Sequence, residues 1–126
     1  MQNNSEKPKV ELKKRAYFYA LDVIKFIDAL NQKDASTSII SKQLLRSATS
    51  IGANIIEAQA GSTKKDFANF FAYALKSANE SRFWLGLLRD SGKGERITTE
   101  KLLQETTELA NILGASILTL KGKREF

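Results

Sequence analysis

Only one proline occurs in this chain, Pro8, and none follows it. Proline removes a backbone donor and breaks helix interiors, so everything after position 8 is free to form long helices. The apolar residues exploit that freedom, recurring at helical spacing in four segments bounded by turn formers. The first runs from about Val10 to Asn31, with a stripe of Leu12, Ala16, Tyr19, Val23, Ile27 and Leu30. Polar residues from Gln32 to Thr37 interrupt it and offer N-cap side chains. The second, about Ser38 to Ala60, repeats through Ile40, Leu44, Ser47, Ile51, Ile55 and Ala58. Gly61 suits a left-handed closing position, and Thr63 with Asp66 reads as a capping box opening the third segment. That segment carries Phe67, Phe70, Phe71, Ala74, Ala78, Trp84, Leu85 and Leu88, and ends in Ser91-Gly92-Lys93-Gly94. Thr98 or Thr99 is expected to cap the fourth, whose inward residues are Leu102, Leu109, Ile112, Leu113, Ile117 and Leu120.

The short connections favour antiparallel neighbours, so the expected fold is all-α, an up-and-down antiparallel four-helix bundle over residues 10–120. A polar lead, 1–9, precedes it and a basic tail, 121–126, follows, both expected to fray. The lead has no apolar core or cleavage site of a signal peptide, and no apolar run reaches the roughly 18 residues that cross a bilayer. Cysteine is absent, which fits a reducing cytoplasm. Histidine is absent too, removing the usual general base and the commonest transition-metal ligand. Di-metal carboxylate bundles need Glu-x-x-His pairs, so that chemistry fails here. No cofactor, metal or small-molecule substrate is indicated.

The formal charge of +6 is unevenly placed. It concentrates at the two chain ends and between residues 42 and 89, whereas residues 90–108 are acidic by two. One reading is a solvated surface; the other is an electrostatic footprint for a polyanion. On the second reading the candidate nucleic-acid-binding residues are Lys13, Lys14, Arg15, Lys42, Arg46, Lys64, Lys65, Lys121, Lys123 and Arg124. Gly61-Ser62-Thr63-Lys64-Lys65 is not a Walker motif, because it lacks the leading glycine and follows a helix. Its two lysines in a first helical turn are nevertheless suited to holding a phosphate weakly.

Two further features bear on the interior and the surface. Asn54 and Glu57 share a helix face, and burying either without a partner costs a few kcal/mol. They are expected to form a polar network with Ser77 and Glu80 on the third helix. Small residues are dense in the second and third segments, which would let those two helices approach closely. The aromatic runs Tyr17-Phe18-Tyr19, Phe70-Phe71 and Phe83-Trp84 cannot all turn inward, since adjacent helix positions lie about 100° apart. Some of this aromatic surface must meet another helix or subunit, or be exposed.

Ser50-Ile51-Gly52-Ala53-Asn54-Ile55-Ile56-Glu57-Ala58, Lys65-Asp66-Phe67 and Ala74-Leu75-Lys76-Ser77-Ala78-Asn79-Glu80 together resemble the family of 23S ribosomal RNA intervening-sequence proteins. Asn54, Glu57, Phe67, Ser77 and Glu80 match its pattern, while Ala58 stands where glycine is common and the arginine that usually follows is missing. Ser81-Arg82-Phe83-Trp84-Leu85 and Ile112-Leu113-Gly114-Ala115-Ser116-Ile117 are also similar to the accessory variability protein of diversity-generating retroelements. The resemblance implies a bacterial, non-enzymatic bundle assembling as a homopentamer. It further implies association with RNA or with an RNA-handling protein such as a reverse transcriptase. Two functions follow as expectations: an oligomeric module binding RNA through basic charge, or a structural adaptor docking a protein through its aromatic surface.

Overall fold

The computed structural model describes residues 11–61 and 63–125, with side chains as far as Gly122. Four helices follow in order, α1 (Leu12–Asp28), α2 (Ala35–Ala60), α3 (Lys64–Asp90) and α4 (Arg96–Glu125). Each packs against its chain neighbours and α1 closes the ring against α4, which is the up-and-down bundle. The expected stripes point inward: Ala16, Val23, Leu44, Ile51, Ile55, Ala74, Leu85, Leu88, Leu109 and Leu113 are all sealed from solvent. Small residues do bring helices close. Ser47, Ala48, Ala74 and Ala78 are buried where α2 meets α3, and at Gly52 an added Cβ would sit 3.5 Å from the Ala16 Cβ across the α1–α2 seam.

The helix ends differ in detail from expectation. Gly61 closes α2 in an extended conformation, φ −69° and ψ 153°, so the left-handed closing turn expected there does not form. It forms instead after α3, where Gly92 takes φ 76°, the Lys93 N–H donates to the Leu88 carbonyl at 2.9 Å and the Gly92 N–H to that of Arg89 at 3.2 Å. That paired pattern is the Schellman closure, and it needs a residue without a Cβ. Thr63 does cap α3, accepting from the Asp66 N–H. Neither Thr98 nor Thr99 caps α4. Glu95 stands one residue ahead of it, and its carboxylate takes both the N–H (2.8 Å) and the hydroxyl (2.5 Å) of Thr98. The basic tail is continuous with the bundle, α4 remaining helical through Glu125; residues 1–10, including the expected lead and Val10, lie outside the described residues.

A layer of hydroxyls crosses the middle of the core, one from each helix. The Tyr19 hydroxyl on α1 lies 2.6 Å from Thr106 Oγ1 on α4, and Ser47 Oγ on α2 lies 2.8 Å from Ser81 Oγ on α3. Ser81 also faces the Tyr19 hydroxyl, linking the two pairs. Thr106 donates on to the Leu102 carbonyl and Ser81 to that of Ser77, so every proton has an acceptor. Among the described residues no buried side-chain polar atom is left without a partner. Burial pushes the Tyr19 hydroxyl up to about 12, its bonds to Thr106 and Ser81 holding it from rising further.

Helix length then sets the shape of the two ends. α1 has 17 residues against 26, 27 and 30 for the others, and at roughly 1.5 Å per residue it is shorter than α2 by more than 10 Å. Its C-terminus reaches the turns joining α3 to α4, where Gly94 packs against Phe26 and Leu30. Its N-terminus stops well short of the other end. Beyond it the described core has three helices, and among the described residues α4 has no fully buried side chain after Leu113.

Candidate nucleic-acid interface

Alternating helix direction brings the starts of α1 and α3 to the same end as the finish of α2 and α4. The basic residues scattered over three stretches of sequence therefore fall on the same side of the central hydroxyl layer, Lys13 and Lys14 being set back from the rest because α1 starts short of that end. Lys13 and Lys14 open α1, Lys64 and Lys65 open α3, and Lys121 lies near the finish of α4, all five exposed. Lys123 and Arg124 continue α4 at this same end, though their side chains are outside the described set. Among the described residues none of the five lysines enters an ion pair. Two helix N-termini and two C-termini meet here, so the macrodipoles largely offset one another and the lysines decide the potential.

Three other candidates are placed elsewhere or already engaged. Arg15 turns sideways onto α4, donating from Nε to Glu105 at 2.7 Å and from Nη2 to both Glu105 (3.0 Å) and Glu108. Those bonds, above all the Glu105 one, lift its pKa further above the ordinary guanidinium value. Arg46 pairs with Glu80 across α2 and α3 and also reaches Gln43. Lys42 is exposed but lies two turns from the start of α2, toward the opposite end. The α1–α4 clamp at Arg15 is not visible in the sequence as a pair, because its partners lie about ninety residues away.

The polar network expected from Asn54, Glu57, Ser77 and Glu80 does not assemble. Asn54 donates to the Ser50 carbonyl of its own helix, Glu57 is exposed, and the Ser77 carbonyl serves Ser81. Glu80 accepts from Arg46 and, at 3.0 Å, from the Trp84 indole. Antiparallel register explains this. Glu80 lies level with Arg46, which puts Glu57, eleven residues further along α2, roughly 16 Å away along the axis. The buried polar groups are instead hydroxyls, the four of the central layer together with Thr37, Ser41 and Thr99.

The opposite end is built differently. Six acids stand there against seven bases, Lys42 included, and several are locked together. Lys93 Nζ reaches Asp34 Oδ2 at 2.5 Å, and Thr37 donates to the same oxygen at 2.7 Å. These two bonds, the Lys93 one first, hold the Asp34 carboxyl below its ordinary range. Arg89 spans Asp90 (2.8 Å) and Glu100 (3.6 Å), and Arg96 also meets Glu100.

The aromatic runs divide: Phe70 and Trp84 are partly buried against the core. Tyr19 and Phe71 are buried, while Tyr17, Phe18, Tyr73 and Phe83 are each more than half exposed. Among the described residues no helix is long and apolar enough to cross a membrane, and no cluster of three acidic side chains is placed to hold a metal ion.

These features define a class, an up-and-down four-helix bundle with one end that carries several ion pairs and one whose lysines enter none among the described residues. Residues 8–115 match the family described as 23S rRNA-intervening sequence protein, and the chain belongs to that family. Its fold is also similar to a crystal structure, at 1.70 Å resolution, of a protein with unknown function from the S23 ribosomal protein family of Bacteroides thetaiotaomicron. The two are 36% identical with a TM-score of 0.78, over 85% of this chain and 98% of that one. No curated protein matches the sequence.

Proposed function

We propose that this protein is a non-catalytic module of the bacterial cytoplasm that binds structured RNA through its phosphates, using the lysine-bearing end of the bundle. The observation that carries the reading is that Lys64, Lys65 and Lys121 share one end, with Lys13 and Lys14 set back in the same half, and that none has an ion-pair partner among the described residues. Lysine is a point-charge donor that suits phosphate without reading a base, so recognition rests on charge and shape. The family's description ties it to ribosomal RNA genes and is consistent with an RNA partner. Assembly into a ring, five copies by the family resemblance, would repeat this end around an axis and multiply a weak attraction.

Retention of the protein on structured RNA at two salt concentrations, with light scattering on the same sample, tests both parts. Strong retention at low salt that collapses at high salt, with a mass of several chains, is expected. A second reading, an adaptor docking a partner protein such as a reverse transcriptase, is favoured by the exposed rings of Tyr17, Phe18 and Phe83. It expects no salt-sensitive retention on RNA.

A further inference from the structure

A groove of about 860 Å³ runs between α3 and α4, away from the lysine end. At its rim stands Phe83, 58% exposed yet held in place. Trp84 braces it edge to face, with ring centroids 5.0 Å apart and an angle of 69°, and the Trp84 indole is itself fixed on Glu80. One turn on, Gly86 leaves the groove floor open, since a Cβ there would meet nothing within 4 Å. A flat ring beside a notch without a side chain makes a slot for a planar group.

The walls supply a matching chemistry. Asn79 and Gln104 line the groove and each offers both a donor and an acceptor, as the edge of a heterocyclic base does. The two carboxylates in the groove already have cationic partners, Glu108 sharing Arg15 with Glu105, and Glu100 meeting Arg89 and Arg96. Arg82, in contrast, enters no ion pair among the described residues and is exposed. The groove thus carries a spare cation beside an aromatic platform. It is also connected to the basic end. Lys65, Lys76 and Phe83 follow one another at steps of eleven and seven, which are close to whole turns, so they share one outer face of α3 across roughly 27 Å. All three are exposed, with the small residues Ala68 and Ala72 between the lysines.

We propose that the α3–α4 groove is a stacking site for an unpaired base of single-stranded nucleic acid, with Phe83 as the platform, Arg82 on the adjoining phosphate, and Lys76 and Lys65 tracking the strand to the basic end. The proposal extends the RNA-binding reading above and rests on it, but it fails separately. Single-stranded binders combine such a basic track with aromatic platforms, while a duplex keeps its bases stacked and unavailable.

Trp84 is the only tryptophan in the chain and touches the platform, so its fluorescence reports occupancy directly. Titrating the full-length protein with an unstructured ribo-oligonucleotide, its deoxy counterpart, an abasic version and an RNA duplex provides the test. Quenching of Trp84 by the two base-bearing single strands but not by the abasic strand is expected. Phe83→Leu, which keeps apolar bulk without a π face, should weaken single-strand binding about tenfold and leave duplex binding unchanged. Phe83→Trp should retain the affinity, and Gly86→Leu, which fills the notch while favouring helix, should lose it. A single-strand affinity that is salt-sensitive but indifferent to Phe83 and Gly86 would overturn this inference and leave the phosphate reading standing. Loss of the oligomer on Phe83→Leu would also overturn it, assigning the groove to a second copy of the chain. If no nucleic acid binds at low salt, both readings fall.

Discussion

The two ends of this bundle are made from the same four helices and treat charge in opposite ways. At the end where α1 stops against Gly94, four helices close the core and three of the seven cations, Arg89, Lys93 and Arg96, are paired with carboxylates. At the other end three helices continue past the start of α1, the core thins after Leu113, and the lysines enter no ion pair among the described residues. Charges paired inside a chain serve that chain. Charges left unpaired beside incompletely covered apolar surface cost little in water and are available to something else. The proposed binding role belongs to the second end, while the first is the better-closed part of the core.

The comparison is broken most readily in the core. Leu109→Ala, in the four-helix half, should cost about 2–5 kcal/mol because the residue is sealed on all sides. Ile117→Ala, only partly buried against the same cluster two turns further, should cost about 1 kcal/mol. Urea denaturation of both variants measures the gap. An equal cost at Ile117 would show that a second copy of the chain or a partner covers the open end.

A smaller effect should appear in the hydroxyl layer. Tyr19 is raised in the folded state from about 10 to about 12, so the unfolded chain loses this proton first. Its contribution is complete below about pH 10 and is lost as pH rises through about 12. A shift of that size corresponds to about 2–3 kcal/mol across the window. Tyr19→Phe should lower stability at neutral pH by about 1–2 kcal/mol, through loss of its hydrogen bond to Thr106, and should flatten the alkaline loss. Stability curves at pH 8, 10 and 12 would show it, and an unchanged alkaline slope in the variant would remove Tyr19 as the cause.

The smallest effect belongs to the paired end. Asp34 is depressed by Lys93 and Thr37, so its contribution is present above the ordinary carboxylate range and is lost as pH falls through its lowered value. Glu95, held down chiefly by the hydroxyl and N–H of Thr98, acts in the same direction. Both groups are solvent-accessible, and screening keeps the effect slight. Asp34→Asn should flatten the melting-temperature profile between about pH 5 and 3 by a degree or two, and a steeper acid loss in the variant would contradict the pairing.

Much of the bundle was legible because the constraint on it is local. Leu44, Ile51, Ile55, Leu85 and Leu88 recur at steps of three and four, and period alone places them inside. Helix ends were less so. Both Gly61 and Gly92 are suited to a left-handed turn, and only the path of the following chain decides which adopts it. Thr106 shows a missed signal, since the fourth stripe jumps seven residues from Leu102 to Leu109 and a threonine fills the intervening helical position. A hydroxyl there reads as surface until Tyr19 is seen opposite it. The site was the least legible part. Its lysines belong to three separate stretches, and their placement in the same half follows from helix direction, which charge counting does not contain. The polar network failed for the same reason, as Glu80 meets Arg46 and not Glu57 once register is fixed.

Charge reversal at matched positions tests the division of labour between the ends most directly. Lys64→Glu with Lys65→Glu alters the proposed binding end, and Lys33→Glu with Lys101→Glu alters exposed lysines of the other that likewise enter no ion pair among the described residues. The quantity to measure is the slope of log affinity for structured RNA against log salt. The first pair should weaken binding at least tenfold across unrelated RNA sequences and reduce the slope by about 1–2, the amount expected for two lost phosphate contacts. The second pair should leave both nearly unchanged. Equal losses from the two pairs, or none from the first, would contradict an RNA-binding role for the lysine end.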